Sequence, residues 1–339
     1  MLAWLILAAA LLKPVGLTAA LSAAALAAAV FAAVHHAEVV AHRVGEPFGT
    51  LVLALAVTII EVALIVSVML SGGAEKAALA RDTVLAAIMI VCNGVVGLCL
   101  LVGGVRHHEQ GASAAMAVLC ALSVLTLVLP NYSITSPGPG LSDSQLVFVG
   151  IISLVLYMVF VFVQTVRHRD YFLVEVKDDE DAHAPPPSSR AALASLGLLF
   201  VALVAVVGLA KILSPVVEKG VASAGAPAAV VGIVIAALVL LPEGFAALRA
   251  ARANRLQTSL NLALGSALAS IGLTIPTVAA VSVVIGKPLS LGLEPKETVL
   301  LALTLLVGVI TLGTGRTTIL QGVIHLVIFA AFLFFAVVP

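Results

Sequence analysis

Residues 47–74 read PFGTLVLALAVTIIEVALIVSVMLSGGA, with a single formally charged residue, Glu61, at the centre. About twenty apolar residues let a helix cross the hydrocarbon core of a bilayer. The stretch therefore predicts a membrane-spanning helix with a carboxylate near the midplane. A charge there costs at least about 2.5–3.5 kcal/mol on the insertion scale, so an acid at that depth calls for a chemical explanation. Fourteen uncharged residues precede Glu61 back to Pro47 and thirteen follow it before Glu75, so no Lys or Arg in the span core can pair with it.

The remainder of the chain has the same character. Of its 339 residues, 62% are apolar and 10% charged, with seventeen basic residues balancing seventeen acidic ones and a mean hydropathy of +1.23. Soluble domains are nearer about 45–50% apolar and roughly 25% charged. Composition thus excludes a soluble enzyme, a nucleic-acid binder and a disordered regulator, and predicts an all-α polytopic membrane protein. Cys92, Cys99 and Cys120 lie inside apolar runs and read as small core residues, not as a disulfide framework.

Apolar runs bounded by charges, Pro and Gly place spans near Val15–Val34, Phe48–Leu70, Thr83–Gly103, Ala112–Leu129, Gln145–Val166, Ala191–Leu213, Gly225–Ala247, Thr258–Ile285, Thr298–Leu312 and Ile319–Val338. A shorter run, Leu2–Leu12, brings the count to eleven if it crosses. It reaches only about 16 Å as a helix, so an interfacial segment is the alternative. A cleaved signal peptide fits less well, because a basic leader region is missing. The chain divides into a short hydrophobic segment (1–14), a first five-helix repeat (15–166), an acidic and Pro-rich linker (167–190) and a second five-helix repeat (191–339). Nine of the ten Arg and seven of the eight His fall on one side of this alternating layout. That side is expected to be cytoplasmic, with the acidic linker on it.

Self-similarity supports the two repeats. Thr58-Ile59-Ile60-Glu61-Val62 resembles Leu240-Leu241-Pro242-Glu243-Gly244, and Asp82-Thr83 with Gly97-Leu98 matches Gln257-Thr258 with Gly272-Leu273 without a gap. Each Glu sits on the second span of a block of five. Because five is odd, the blocks enter from opposite sides, which is the inverted-repeat plan of secondary transporters with a site at the midplane.

Glu61 and Glu243 are accordingly the candidate site. One buried Glu is readily a protonated structural residue; two in matching positions are not so easily explained. Opposed carboxylates suit a hard divalent ion such as calcium, which takes six to eight oxygens. Emptied, the pair is two like charges in low dielectric, and protons are the other way to neutralise it. A site that holds either metal or protons exchanges one for the other. Further oxygens could come from Asn93, Asn261, Ser266 and Ser270, and from a carbonyl freed by Pro242. Asn261 and Ser270 lie about two and a half turns apart and cannot meet on one ion without a break in the helix. His35, His36 and His42 with Glu38 and Glu46 read as an interfacial polar cluster before a metal-collecting mouth. Residues 313–318 read as a tight turn, and His325 as a satisfied helix contact. The acidic run Glu175–Asp181 with His183 reads as solvated sequence before a calcium sensor.

The stretch Gly45-Glu46-Pro47-Phe48-Gly49-Thr50 followed by Glu61, with Leu241-Pro242-Glu243-Gly244 and Thr314-Gly315-Arg316-Thr317 ahead of Gly322 and His325, resembles the calcium/cation antiporter superfamily. The nearest branch is the bacterial ChaA-type sodium/calcium–proton antiporters. The resemblance implies eleven spans in two inverted repeats, a bacterial inner-membrane location, and exchange of Ca2+ for H+ at Glu61 and Glu243. It also implies Na+ and K+ as further substrates. The superfamily often has a Gly-Asn pair before each Glu; here Thr58 and Leu240 stand three positions before, and Thr58 joins the candidate ligands. No cofactor, catalytic residue or nucleic-acid partner is expected, membrane lipid is, and the oligomeric state stays open, a homo-oligomer included. A proton-coupled carrier of a small organic cation and a cation channel remain as alternatives. The low aromatic content (5%) favours a compact ion site over the organic carrier.

Overall fold

The computed structural model of the protein describes residues 16–45, 48–71, 77–104, 106–107, 111–136, 139–167, 186–286 and 289–338. The short run 2–12, Glu46, the acidic run 175–181 and His183 lie outside the described residues. Ten helical segments follow one another: α1 (Gly16–Val44), α2 (Phe48–Ser71), α3 (Leu79–Gly103), α4 (Gly111–Tyr132), α5 (Asp143–Arg167), α6 (Ser189–Ser223), α7 (Ala229–Arg252), α8 (Leu256–Ile285), α9 (Pro295–Gly313) and α10 (Ile319–Val337). Among the described residues nine are long and apolar enough to cross a bilayer, and α2 adds the apolar stretch Leu51–Ser67. These ten correspond to the spans expected after residue 14.

Two helices outrun their apolar cores. α1 continues ten residues past Val34 through His35, His36 and Glu38, and α6 continues past Leu213 through Pro215 and Glu218 to Ser223. Hydropathy marks where a chain can sit in lipid, whereas helix persists wherever backbone bonds and packing continue. Side chains of the polar end of α1 reach across to α6. Arg43 donates to Ser189 Oγ at 2.8 Å, and His36 Nδ1 lies 3.4 Å from Ser195 Oγ.

The loops sort onto two faces, as alternating crossings require. On one, Arg106–His107 pairs antiparallel with Arg316–Thr317, joining the end of α3 to the turn before α10. On the other, Arg81 donates to the Gly292 carbonyl at 2.9 Å and Asn131 to the Leu293 carbonyl at 2.6 Å, tying the loop before α9 to α3 and α4. Residues 313–318 form the expected turn, with Gly315 at φ +66°.

The apolar interior has two parts. One lies between α1 and α6, where Ala25, Ala29, Ala33 and Ala37 meet Ala202, Ala205 and Ala210, together with Val57, Ile60 and Leu64 of α2. Small residues let backbones approach where lipid offers no hydrophobic drive to associate. The other surrounds α3, α4 and α8. There glycine permits near backbone contact: a Cβ on Gly322 of α10 would lie 2.8 Å from the Leu101 nitrogen and 2.9 Å from the Gly97 carbonyl oxygen of α3. Likewise a Cβ on Gly272 of α8 would lie 2.8 Å from Cβ of Tyr157 of α5.

Gly322→Ala must force α10 off α3, since backbone cannot yield as a side chain can. We expect a loss of about 1–3 kcal/mol, read as a lower thermal midpoint in detergent. Gly197→Ala, which meets open space, should change stability by less than about 0.5 kcal/mol.

Candidate cation site

Four of the described helical segments carry wide, π-helical turns, and two of these turns fall at related places. α3 carries one at Ile90–Val95 and α8 carries one at Ser270–Thr274. Such turns shift the register of the side chains that follow and cluster at functional sites. Each sits on the helix after a candidate Glu helix. Each also packs against the Glu helix of the other half: α2 against Ser270–Thr274, and α7 against Ile90–Val95. A Cβ on Gly244, beside Glu243, would touch Val95 at 3.5 Å. Pro242 does not break its helix. α7 runs unbroken through Pro242, and the irregular backbone belongs to α3 and α8. Proline removes one donor, yet the rest of the helix is held by its neighbours.

Glu61 is 2% exposed, and Thr274 Oγ1 donates to its Oε2 at 2.9 Å. Ser270 provides a second side-chain hydrogen bond to the same carboxyl. Oε1 of Glu61 has no hydrogen-bond partner among the described residues. Glu243 has none on either oxygen, although both are sealed from solvent. Its charge is opposed by those of Glu38 and Glu61. Buried polar atoms are nearly always paired, so three orphaned carboxylate oxygens mark a place where a positive partner belongs. The hydroxyls of Thr58, one turn before Glu61, and of Ser266 on α8 are buried and unpartnered too.

The sequence-derived candidates therefore separate. Glu61 and Ser270 meet directly, Glu243 is electrostatically joined to Glu61, and Thr58 and Ser266 hold unused hydroxyls nearby in sequence. Asn93 and Asn261 have other partners. Asn93 donates to Thr304 Oγ1 at 2.9 Å, and its Oδ1 lies 3.0 Å from His325 Nδ1. Asn261 Oδ1 accepts from Gln257 at 3.2 Å. Thr274, which sequence reasoning missed, lies four residues beyond Ser270; that spacing shares a helical face and was the available signal. Among the described residues no group of three or more His, Cys, Asp or Glu converges. A cation here would be held by two carboxylates with hydroxyl and carbonyl oxygens, a donor set for a hard ion.

The profile of the sodium/calcium exchanger protein family matches residues 15–166 and 194–338. The y4hA protein of Sinorhizobium fredii is 56% identical over 314 residues, covering 90% of this chain and 84% of that protein. The sodium-potassium/proton antiporter ChaA of Escherichia coli is 38% identical over 308 residues, covering 88% and 83%. The crystal structure of the H+/Ca2+ exchanger CAX superposes with a TM-score of 0.76 at 18% identity, over 98% of this chain and 85% of that one. At that identity the likeness speaks for the fold alone.

Thr274→Val keeps the shape of the side chain and removes the donor to Glu61. We expect the half-saturating cation concentration in vesicle uptake to rise about tenfold, the worth of one charge-assisted hydrogen bond. Thr274→Ser should stay within about twofold.

Proposed function

The chain belongs to the sodium/calcium exchanger protein family, whose members are membrane transporters and not enzymes, and we propose that it exchanges Ca2+, and also Na+ or K+, for H+ at Glu61 and Glu243. The observation that carries the reading is the pair of orphaned carboxylates. Among the described residues no side chain donates to either sealed oxygen of Glu243, and the neighbouring charges that act on it are acidic. Two such charges in low dielectric cannot both stay bare. Either a cation bridges them or protons occupy them, and the two occupants compete for the same oxygens. Occupancy by one thus expels the other, which is the elementary step of antiport. Na+ and K+ enter through ChaA, a sodium-potassium/proton antiporter; Ca2+ enters through the donor chemistry and the family.

The fold offers a way to present the site to each face in turn. α1 and α6 form a separately packed pair lined with Ala, lying across α2 and α7. Sliding of such a pair along smooth, small-residue surfaces would open one side of the carboxylates while closing the other. We place the arginine-rich face, with Arg43, Arg249, Arg252, Arg255 and Arg316, in the cytoplasm and the protein in the bacterial inner membrane. The acidic linker is then cytoplasmic, and cations leave the cell as protons enter. Supporting the division into two functional halves, 15–166 and 191–339, is the crosswise packing of each Glu helix on the other half's π turn.

The test is uptake by reconstituted vesicles under an imposed pH gradient, with calcium, sodium and potassium compared. Glu61→Gln and Glu243→Gln should each abolish exchange of every ion that the unaltered protein carries, because amides neither bridge a cation nor exchange a proton. Cation flux in either variant that stays coupled to protons would overturn the reading, and cation flux without proton movement in the unaltered protein would favour a channel. Raising the pH on the side that offers the cation should lower its half-saturating concentration. Competition sets the sign: fewer protons leave more of the carboxylates free. The steepest slope is about tenfold per pH unit for each proton displaced.

A further inference from the structure

A second polar group is buried on the other side of the first π turn. Asn93 (0% exposed), Thr304 (0%), Thr311 (1%) and His325 (1%) join α3, α9 and α10 by hydrogen bonds, those of Asn93 reaching across more than 200 residues of sequence. Proton directions follow from the partners. Thr304 Oγ1 donates to the Leu300 carbonyl at 2.8 Å, so it accepts from Asn93 Nδ2. The other end of the amide, Oδ1, is an acceptor, which makes His325 Nδ1 the donor. Nε2 of the neutral ring then accepts from Thr311 Oγ1 at 3.1 Å. Every hydrogen-bonding atom of the ring and both ends of the amide are used.

This group lies where a register is chosen. A π turn can relax into ordinary α-helix by shifting one residue, which swings the side chains by about 100°. In the relaxed register Asn93 would no longer face His325, and Val95 would leave Gly244. The glycines hold α10 close enough for the contact: Gly97 is set against Gly322 and the Cβ of His325, Gly94 against Phe329. Among the described residues the π turn at Ser270–Thr274 has no tie of this kind to a later helix. Tyr157 covers it at Gly272, and its hydroxyls at Ser270 and Thr274 turn to Glu61 instead.

We propose that His325 is a positioning residue of the exchange reaction, holding the first π turn against the Glu243 helix through Asn93 and so setting the site's affinity for cations from the last helix of the chain. The proposal rests on the exchange reading above. His325 touches neither carboxylate, so its removal should alter binding of the cation and leave the maximal rate in place.

Three variants separate positioning from packing. His325→Asn retains a donor where Nδ1 stood and loses the bond to Thr311. His325→Gln reaches Thr311 and loses the donor to Asn93, and His325→Leu loses both. With calcium and then sodium as the probe in proteoliposome uptake, His325→Asn should keep the half-saturating concentration within about twofold. His325→Gln and His325→Leu should raise it about tenfold, with the maximal rate changed by less than about twofold. The calcium-induced rise in thermal midpoint of the detergent-solubilised protein reads the same affinities without transport. Equal affinities in the Asn and Gln variants, whether both native or both weakened, would overturn the proposal; that pair decides even if His325→Leu does not fold. Failure of the unaltered protein to move protons would instead sink the exchange reading, and unaltered exchange with a native-like His325→Gln sinks this one alone.

Discussion

Two carboxylates held in the interior of a membrane protein repel each other wherever both are ionised, and no side chain among the described residues donates to Glu243 to offset that. Around this one unfavourable interaction the rest of the structure is arranged. Each Glu is fixed on an otherwise apolar helix, and each of those helices is packed against the irregular turn of the opposite half. Burying two such groups is costly unless something positive, a cation or a proton, accompanies them.

The halves are related, but their π turns are put to different uses. The turn at Ser270–Thr274 aims two hydroxyls at Glu61. The turn at Ile90–Val95 aims its amide away, at Thr304 and His325, and meets the Glu243 helix through Val95 at Gly244. Glu61 is thus oriented before any ion arrives, and Glu243 is not. A cation that binds such a pair meets one preset ligand and one that must be captured, which lowers the ordering cost for half of the site alone.

Much of this was legible before any coordinates. The spans, the two deep acids and the halves they mark follow from hydropathy and from charge placed where charge is expensive, and those are properties of residues one at a time. What the sequence did not reveal depends on which face a residue turns. Asn93 and Asn261 have the right chemistry to bind a cation, yet their amides answer to His325, Thr304 and Gln257. Thr274, a residue of no special note in an apolar run, reaches Glu61. The helix breaks were equally hidden. Pro242 lies inside a helix that runs on unbroken, because neighbours hold it. Ile90–Val95 and Ser270–Thr274 contain no proline at all; they are wide turns that only tertiary packing selects.

That selection bears on how a single site can accept ions of different charge. A rigid cage of carboxylates and amides fixes both the number of ligands and the radius that they enclose, and discriminates accordingly. Here the amide of Asn93 is engaged elsewhere, and among the described residues the buried oxygens of Thr58, Ser266 and Glu243 have no side-chain donor or acceptor to fix them. A divalent ion gains most from both carboxylates together. A monovalent ion can be balanced by one carboxylate while the other keeps a proton, since a half-protonated pair carries a single net charge. On the proposed exchange the same two residues would serve either ion, and the number of protons displaced would follow from the charge of the cation that replaces them.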